Sequence, residues 1–229
     1  EKKARNELRS LLFKSEHDPE QVASGFDLDE FEVFARKAKR SPSLEPLRQL
    51  VIASTLYWRG DLSEALALTE KLSVTPGLEL DEQIRVATLG MWVAVALEQR
   101  LSLAFFTWSA DLLAMVPIRK QELPGEVLGS FIPSFIAYRL IIEERSWQDI
   151  DLFRRQLANP SDVARCLAVE AFAEWRRGDP RAAASKYNDA LKALDDCTAE
   201  DASSPTVVEL RRWWNACIAR LETSDGMNW

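Results

Sequence analysis

Two stretches of nine residues read alike, YWRGDLSEA at 57–65 and WRRGDPRAA at 175–183. Both place an arginine, a glycine, an aspartate and a later alanine in the same register. Glycine readily adopts the left-handed conformation that closes a helix, and aspartate accepts hydrogen bonds from the first backbone N–H groups of the next helix. Each stretch therefore predicts a tight helical hairpin. The predicted turn residues are Gly60, Asp61, Gly178 and Asp179.

Composition and periodicity extend the helical prediction to the whole chain. Leu occurs 30 times and Ala 28 times among the 229 residues, against 30 for Val, Ile and Thr together, which favours helix over sheet. Apolar residues at three- and four-residue steps, with Gly and Pro between them, divide the chain into about ten helices. We expect the first at 4–14, followed by a polar loop that contains His17. The longest is expected at 79–100, and because it is apolar almost all round it should have neighbours on several sides.

The hairpin pattern resembles tetratricopeptide repeats, whose first helix carries aromatic and Gly positions and whose second carries small residues. The two copies lie 118 residues apart, and a weaker copy lies at 145–149 with Ser in the place of Gly. Three units of about 39 residues would fill that interval, where the family has a period of about 34. The resemblance implies an all-α fold of antiparallel helical hairpins, stacked as an irregular tetratricopeptide-like right-handed solenoid. We expect 1–229 to form a single helical-repeat domain, with flexibility at 1–25 and 223–229.

The N-terminal half carries a second resemblance. DLDEFE at 27–32 is followed by Ala35 and Ala38, and LYWRGDL lies at 56–62. Over these residues the chain resembles the opening of the bacterial transcriptional activator domain, found in activators of the antibiotic regulatory protein family. That family implies a fused winged-helix DNA-binding domain, and a helical part that serves oligomerisation, regulation or contact with the transcription machinery. Because the chain begins with Glu1 and not Met, we expect it to belong to a longer polypeptide.

Charge and hydropathy exclude several classes of partner. The formal net charge is −7, and since phosphate backbones require a basic face, we expect no direct contact with nucleic acid. The most apolar stretch, Ile84–Leu97, falls short of the roughly 20 residues that cross a bilayer, and no signal segment opens the chain, so we expect no membrane association. The cysteines form no C-x-x-C pair and predict neither a zinc site nor a disulfide framework, which favours a reducing cytoplasm. They are Cys166, Cys197 and Cys217.

Residues that would support catalysis are scarce. The lone histidine, His17, lies between Glu16 and Asp18, a setting typical of a solvated side chain. The eight glycines are dispersed and form no phosphate-binding loop. We therefore predict that the chain is not an enzyme and has no catalytic residues, cofactor or metal. A remote alternative, an all-helical enzyme, would rest on an aromatic pocket formed by Phe105, Phe106, Trp108 and Phe131.

The eight tryptophans divide by their sequence surroundings. Four lie on apolar stripes, where we expect core packing: Trp92, Trp108, Trp175 and Trp214. Others lie near arginines, where core packing or a surface cation–π contact is the simpler explanation and an interaction hot spot is the alternative. The candidate interface residues are Trp58, Arg59, Trp147, Arg211, Arg212 and Trp213.

Stacked helical hairpins present extended surfaces that commonly serve binding. The sequence therefore predicts a protein-interaction scaffold whose partner is a protein, a peptide or a second copy of the chain. The second resemblance implies that this scaffold is the regulatory or oligomerisation domain of a bacterial transcriptional regulator, with the DNA-binding domain absent here. A stand-alone tetratricopeptide-like adaptor or peptide receptor is the alternative.

Overall fold

The computed structural model describes residues 2–17, 42–119, 125–143, 157, 159–203 and 205–222. Every regular element in these residues is helical, which confirms the all-α prediction. The α-helices are, in chain order, α1 (Lys2–His17), α2 (Glu45–Arg59), α3 (Leu62–Ser73), α4 (Leu80–Leu97), α5 (Leu103–Arg119), α6 (Gly125–Ile141), α7 (Pro160–Arg176), α8 (Pro180–Asp195), α9 (Ala199–Ala202) and α10 (Pro205–Glu222). A 3₁₀ turn, Pro42–Leu44, precedes α2.

The chain divides into two compact units, Glu1–Val127 and Leu128–Trp229. In the first unit, successive helices pack on one another, α1 on α2, α2 on α3 and α3 on α4. Helix α4 also contacts α2 and α5, in agreement with an apolar surface that is too wide for a single neighbour. Its Gly90 lies against the buried ring of Phe105 on α5.

The second unit contains the hairpin of α7 and α8, with α10 packed on α8. Small residues line the contact and let the helix backbones approach closely, while Tyr187 and Trp214 fill the remaining volume. The core consists of Ala164, Leu167, Ala168, Ala171, Ala183, Tyr187, Ala190, Leu194, Val207, Trp214, Cys217 and Leu221. Arrangement of the hairpins in a right-handed solenoid stays a prediction.

Several element boundaries differ from the sequence prediction. Helix α1 extends to His17, which is therefore helical and not in a loop, because neither Gly nor Pro interrupts the chain before Pro19. The helix predicted to reach Arg100 ends at Leu97, since Glu98 adopts a left-handed φ of 54°. The DLDEFE stretch at 27–32 with Ala35 and Ala38, the weak repeat copy at 145–149 and the tail at 223–229 lie outside the described residues.

Candidate interaction surface

The two hairpin turns have the same backbone geometry. Gly60 and Gly178 both have φ of +84°. The N–H of Asp61 donates to the Leu56 carbonyl at 2.9 Å, and the N–H of Asp179 donates to the Glu174 carbonyl at 3.0 Å. This six-to-one hydrogen bond, together with the left-handed glycine, is the Schellman ending of a helix.

The aspartates that follow the two glycines differ in role. The carboxylate of Asp179 accepts a hydrogen bond from the N–H of Ala182 at 2.9 Å and so caps α8. Asp61 occupies the corresponding position before α3, but its side chain accepts no capping hydrogen bond from that helix. The predicted capping bond of Asp61 is therefore wrong. The first hairpin turn therefore lacks a side-chain cap, whereas the second has one, and Pro180 at the start of α8 adds a fixed φ to it.

The candidate tryptophan and arginine residues lie in both units. At the end of α2, Trp58 is half-buried with its ring 5.0 Å from that of Tyr57, and Arg59 is exposed. Trp147 lies outside the described residues. Arg211, Arg212 and Trp213 follow one another on α10 in the second unit. The sequence therefore groups residues that belong to two different units.

Adjacent tryptophans on α10 have opposite environments. Trp214 is only 1% exposed and packs in the core, as its apolar stripe predicts, whereas Trp213 is 59% exposed. Successive helical residues point about 100° apart, so the two rings cannot share a face. The exposed Trp213 shares its side of the helix with Ala216 and Arg220, three and seven residues further on, which are also exposed. We call these three residues the Trp213 surface.

A salt bridge fixes the neighbouring part of α10. The guanidinium of Arg211 donates to the Asp195 carboxylate at the end of α8 over 2.8 Å. Together with the buried Trp214 ring, this bond links α10 to the hairpin beneath it. The Trp213 surface therefore lies on a helix that is held against the hairpin by its buried residues and by this salt bridge.

Sequence reasoning missed a second polar cluster, in the first unit. Glu79 and Glu82 form a capping box at the start of α4, where each carboxylate accepts a backbone N–H of the other residue. Glu82 is buried, and Arg5 and Arg9 of α1 both contact it. The sequence signal that could have indicated this cluster was the four-residue spacing of the two arginines on an amphipathic helix. Their carboxylate partner lies more than seventy positions away, so the pairing could not be read from the spacing.

Two further pairs of polar residues lie in the second unit, Glu170 with Lys186 and Tyr187 with Cys217. The carboxylate of Glu170 on α7 lies 2.5 Å from Nζ of Lys186 on α8 and cross-links the hairpin. Burial raises the pKa of the Cys217 thiol, and burial beside Cys217 also raises the pKa of the Tyr187 phenol. The Cys217 thiol is thus held in its protonated form, which is a poor nucleophile.

Of the four rings suggested to form an aromatic pocket, two are fully buried in helical cores, whereas those of Phe106 and Trp108 are half-buried. Phe105 is fully buried, with its ring centroid 5.4 Å from that of Trp108. Phe131 is fully buried on α6 and belongs to the second unit.

Comparison with known proteins yields no relatives: no family model, curated protein or solved structure matches this chain. Within the ranges described above, His, Cys, Asp and Glu form no group of three that could hold a metal ion. The same residues include no helix whose length and hydropathy suit a bilayer span. The structure offers two candidate binding surfaces, one around Trp213 and one beneath α1.

Proposed function

We propose that this chain is a protein-interaction scaffold and that the Trp213 surface contacts its partner. The observation that carries the proposal is the 59% exposure of Trp213 on a helix that is packed in the core through Trp214 and Cys217. An indole presented in this way offers a large apolar area with little side-chain entropy to lose on binding.

The neighbours of Trp213 suit such a contact. Tryptophan and arginine are among the residue types most enriched in hot spots, and the Trp213 surface combines one indole with the guanidinium group of Arg220. Ala216 lies one turn beyond Trp213 and leaves space beside the ring for a partner side chain. The partner should therefore offer an apolar pocket for the indole, with carboxylates or carbonyl oxygens around its rim.

The identity of that partner distinguishes two forms of the scaffold. In the first form, suggested by the resemblance to transcriptional activator domains, the partner is a second copy of the chain. The contact then joins the two subunits of a bacterial transcriptional regulator. The net charge of −7 supports leaving DNA contact to another domain. In the second, the chain is an adaptor and the partner is a different protein.

Site-specific photo-crosslinking tests the proposal. A benzophenone amino acid replaces Trp213 in one protein and Val208 in a matched control. Val208 is also apolar and 53% exposed on α10, but it lies about 140° round the helix. We expect crosslinks from position 213 and few or none from position 208.

The mass of the crosslinked species separates the two forms. A dimer in the purified protein identifies oligomerisation, whereas a product formed only in the source cells, and larger by the mass of a second protein, identifies an adaptor. Equal yields at the two positions, or no product at position 213 in either setting, would refute a partner at this surface. Circular dichroism of both proteins establishes that each remains folded.

A further inference from the structure

Helix α1 is attached to the rest of its unit by a short repeated pattern. Arg5 and Arg9 are each followed three residues later by a leucine, Leu8 and Leu12, and both leucines are buried. All four side chains therefore lie along one side of the helix. The side of α1 that faces the rest of its unit therefore carries the pattern Arg-x-x-Leu-Arg-x-x-Leu.

The surface beneath α1 is complementary to the two arginines. Nη1 of Arg5 lies 2.6 Å from Glu79 and 3.1 Å from Glu82, and its Nη2 donates to the Gly77 carbonyl at 3.0 Å. Nε of Arg9 donates to Glu82 at 2.9 Å, while its Nη2 donates to Glu79 at 2.7 Å.

A third carboxylate, that of Asp81, accepts from Nη2 of Arg9 at 3.1 Å. We call the surface formed by Gly77, Glu79, Asp81 and Glu82, with the adjoining apolar contact to α2, the α1 site.

The buried charge in this surface defines what it can bind. With α1 in place the Glu82 side chain is only 1% exposed, so a helix that covered it without supplying guanidinium groups would leave its carboxylate without water and without counter-charge. An uncompensated buried charge is strongly unfavourable. The α1 site therefore requires a helix that supplies arginines, and a purely apolar helix would not satisfy it.

The chemistry of the contact is that of a reversible interface. Permanent helix contacts in a core are predominantly apolar, as between α7 and α8 apart from the single Glu170–Lys186 pair, whereas contacts that form and separate are more polar. The contact of α1 combines two leucine anchors with a dense set of charged hydrogen bonds. This combination is typical of an amphipathic helix bound in a groove.

We propose that the α1 site is a binding site for a basic amphipathic helix and that α1 is its intramolecular occupant. The partner it fits is a helix of another protein that carries the pattern Arg-x-x-Leu-Arg-x-x-Leu and displaces α1. The α1 site belongs to the first unit and the Trp213 surface to the second, so this inference does not depend on the proposed function.

Peptide exchange in the full chain tests the inference. A protease site is inserted between Ser24 and Gly25, and the chain is cut there without removing residues 1–24. A fluorescent peptide of residues 2–17 is then titrated, and its anisotropy reports binding. We expect the peptide to exchange into the cut chain and to bind the uncut chain far more weakly, because α1 occupies the site there at high effective concentration.

Two double variants of the peptide separate specific recognition from general charge attraction. Arg5→Ala with Arg9→Ala removes the contacts to the carboxylates, and we expect affinity to fall by at least about thirtyfold. Lys2→Ala with Lys3→Ala removes the same charge from exposed positions, and affinity should stay within about threefold of wild type.

Three results would overturn the inference. Equal losses in the two double variants would mean that only net charge attracts the peptide. Failure of the peptide to enter a cut chain that remains folded would make α1 a permanent part of the core. Equal binding to cut and uncut chains would place the peptide at another surface. None of these results depends on crosslinking at Trp213, so failure of one proposal does not affect the other.

Discussion

A single added methyl group at Gly90 should destabilise the first unit, although it improves the helix propensity of α4. A Cβ atom built at Gly90 would lie 2.4 Å from Cζ and 2.8 Å from Cε1 of Phe105. Favourable carbon contacts require about 3.5–4.0 Å, so the ring would have to move by roughly 1 Å. Phe105 is fully buried and packs against Trp108, which leaves it little room to do so.

Two opposing terms decide the size of the effect. Overpacking of a filled core costs about 1–3 kcal/mol, whereas replacing glycine with alanine inside a helix gains about 0.8–1.0 kcal/mol. We therefore expect Gly90→Ala to lower the free energy of unfolding by about 1 kcal/mol. In a Phe105→Leu background the clashing ring atoms are absent, so the same change should raise that free energy by about 1 kcal/mol.

Urea denaturation of the four proteins, followed by circular dichroism, measures this double-mutant cycle. The coupling energy between the two positions equals the steric term, about 1–3 kcal/mol. Stabilisation of the wild type by Gly90→Ala, or an equal effect in the two backgrounds, would refute the close approach of Phe105 to Gly90.

Three other predictions concern the second unit and the hairpin turns. Trp214→Ala should cost about 3–5 kcal/mol of unfolding free energy because it empties the core, whereas Trp213→Ala should change it by about 0.5 kcal/mol or less; similar losses in denaturant titrations would contradict the burial of one ring and the exposure of the other. Gly60→Val and Gly178→Val should each lower the free energy of unfolding by about 1–2 kcal/mol through the left-handed φ alone, since an added Cβ meets no atom within 4 Å at either site. Thermal unfolding of the two variants at the wild-type temperature would argue against these turns. The raised pKa of Tyr187 means that the folded state holds the phenolic proton more tightly than the unfolded state, so its stabilising effect is complete below about pH 10 and is lost as pH rises further. Tyr187→Phe should make the alkaline decline in stability shallower, and an unchanged pH profile would exclude this linkage.

The left-handed glycines at the two hairpin turns and the buried side of α10 were predictable from the sequence because each depends on residues only a few positions apart, whereas the predicted Asp61 cap was wrong. Glycine at 60 and at 178 ends a helix through its own backbone freedom, and the apolar stripe around Trp214 indicates the buried side of α10. The all-helical class follows from the same short-range signals.

Contacts between distant residues were decided by the tertiary structure. The sequence contains Arg5 and Glu82, but only the packing of α1 brings them together across 77 positions and buries the carboxylate. It also places Phe105 against Gly90, and it leaves Trp213 exposed while Trp58, in a similar Trp-Arg setting, is half-buried. Periodicity can orient a side chain on its own helix, but burial depends on which neighbour covers that face. The hairpin turns were therefore set by the sequence locally, whereas the two candidate binding surfaces exist only through tertiary packing.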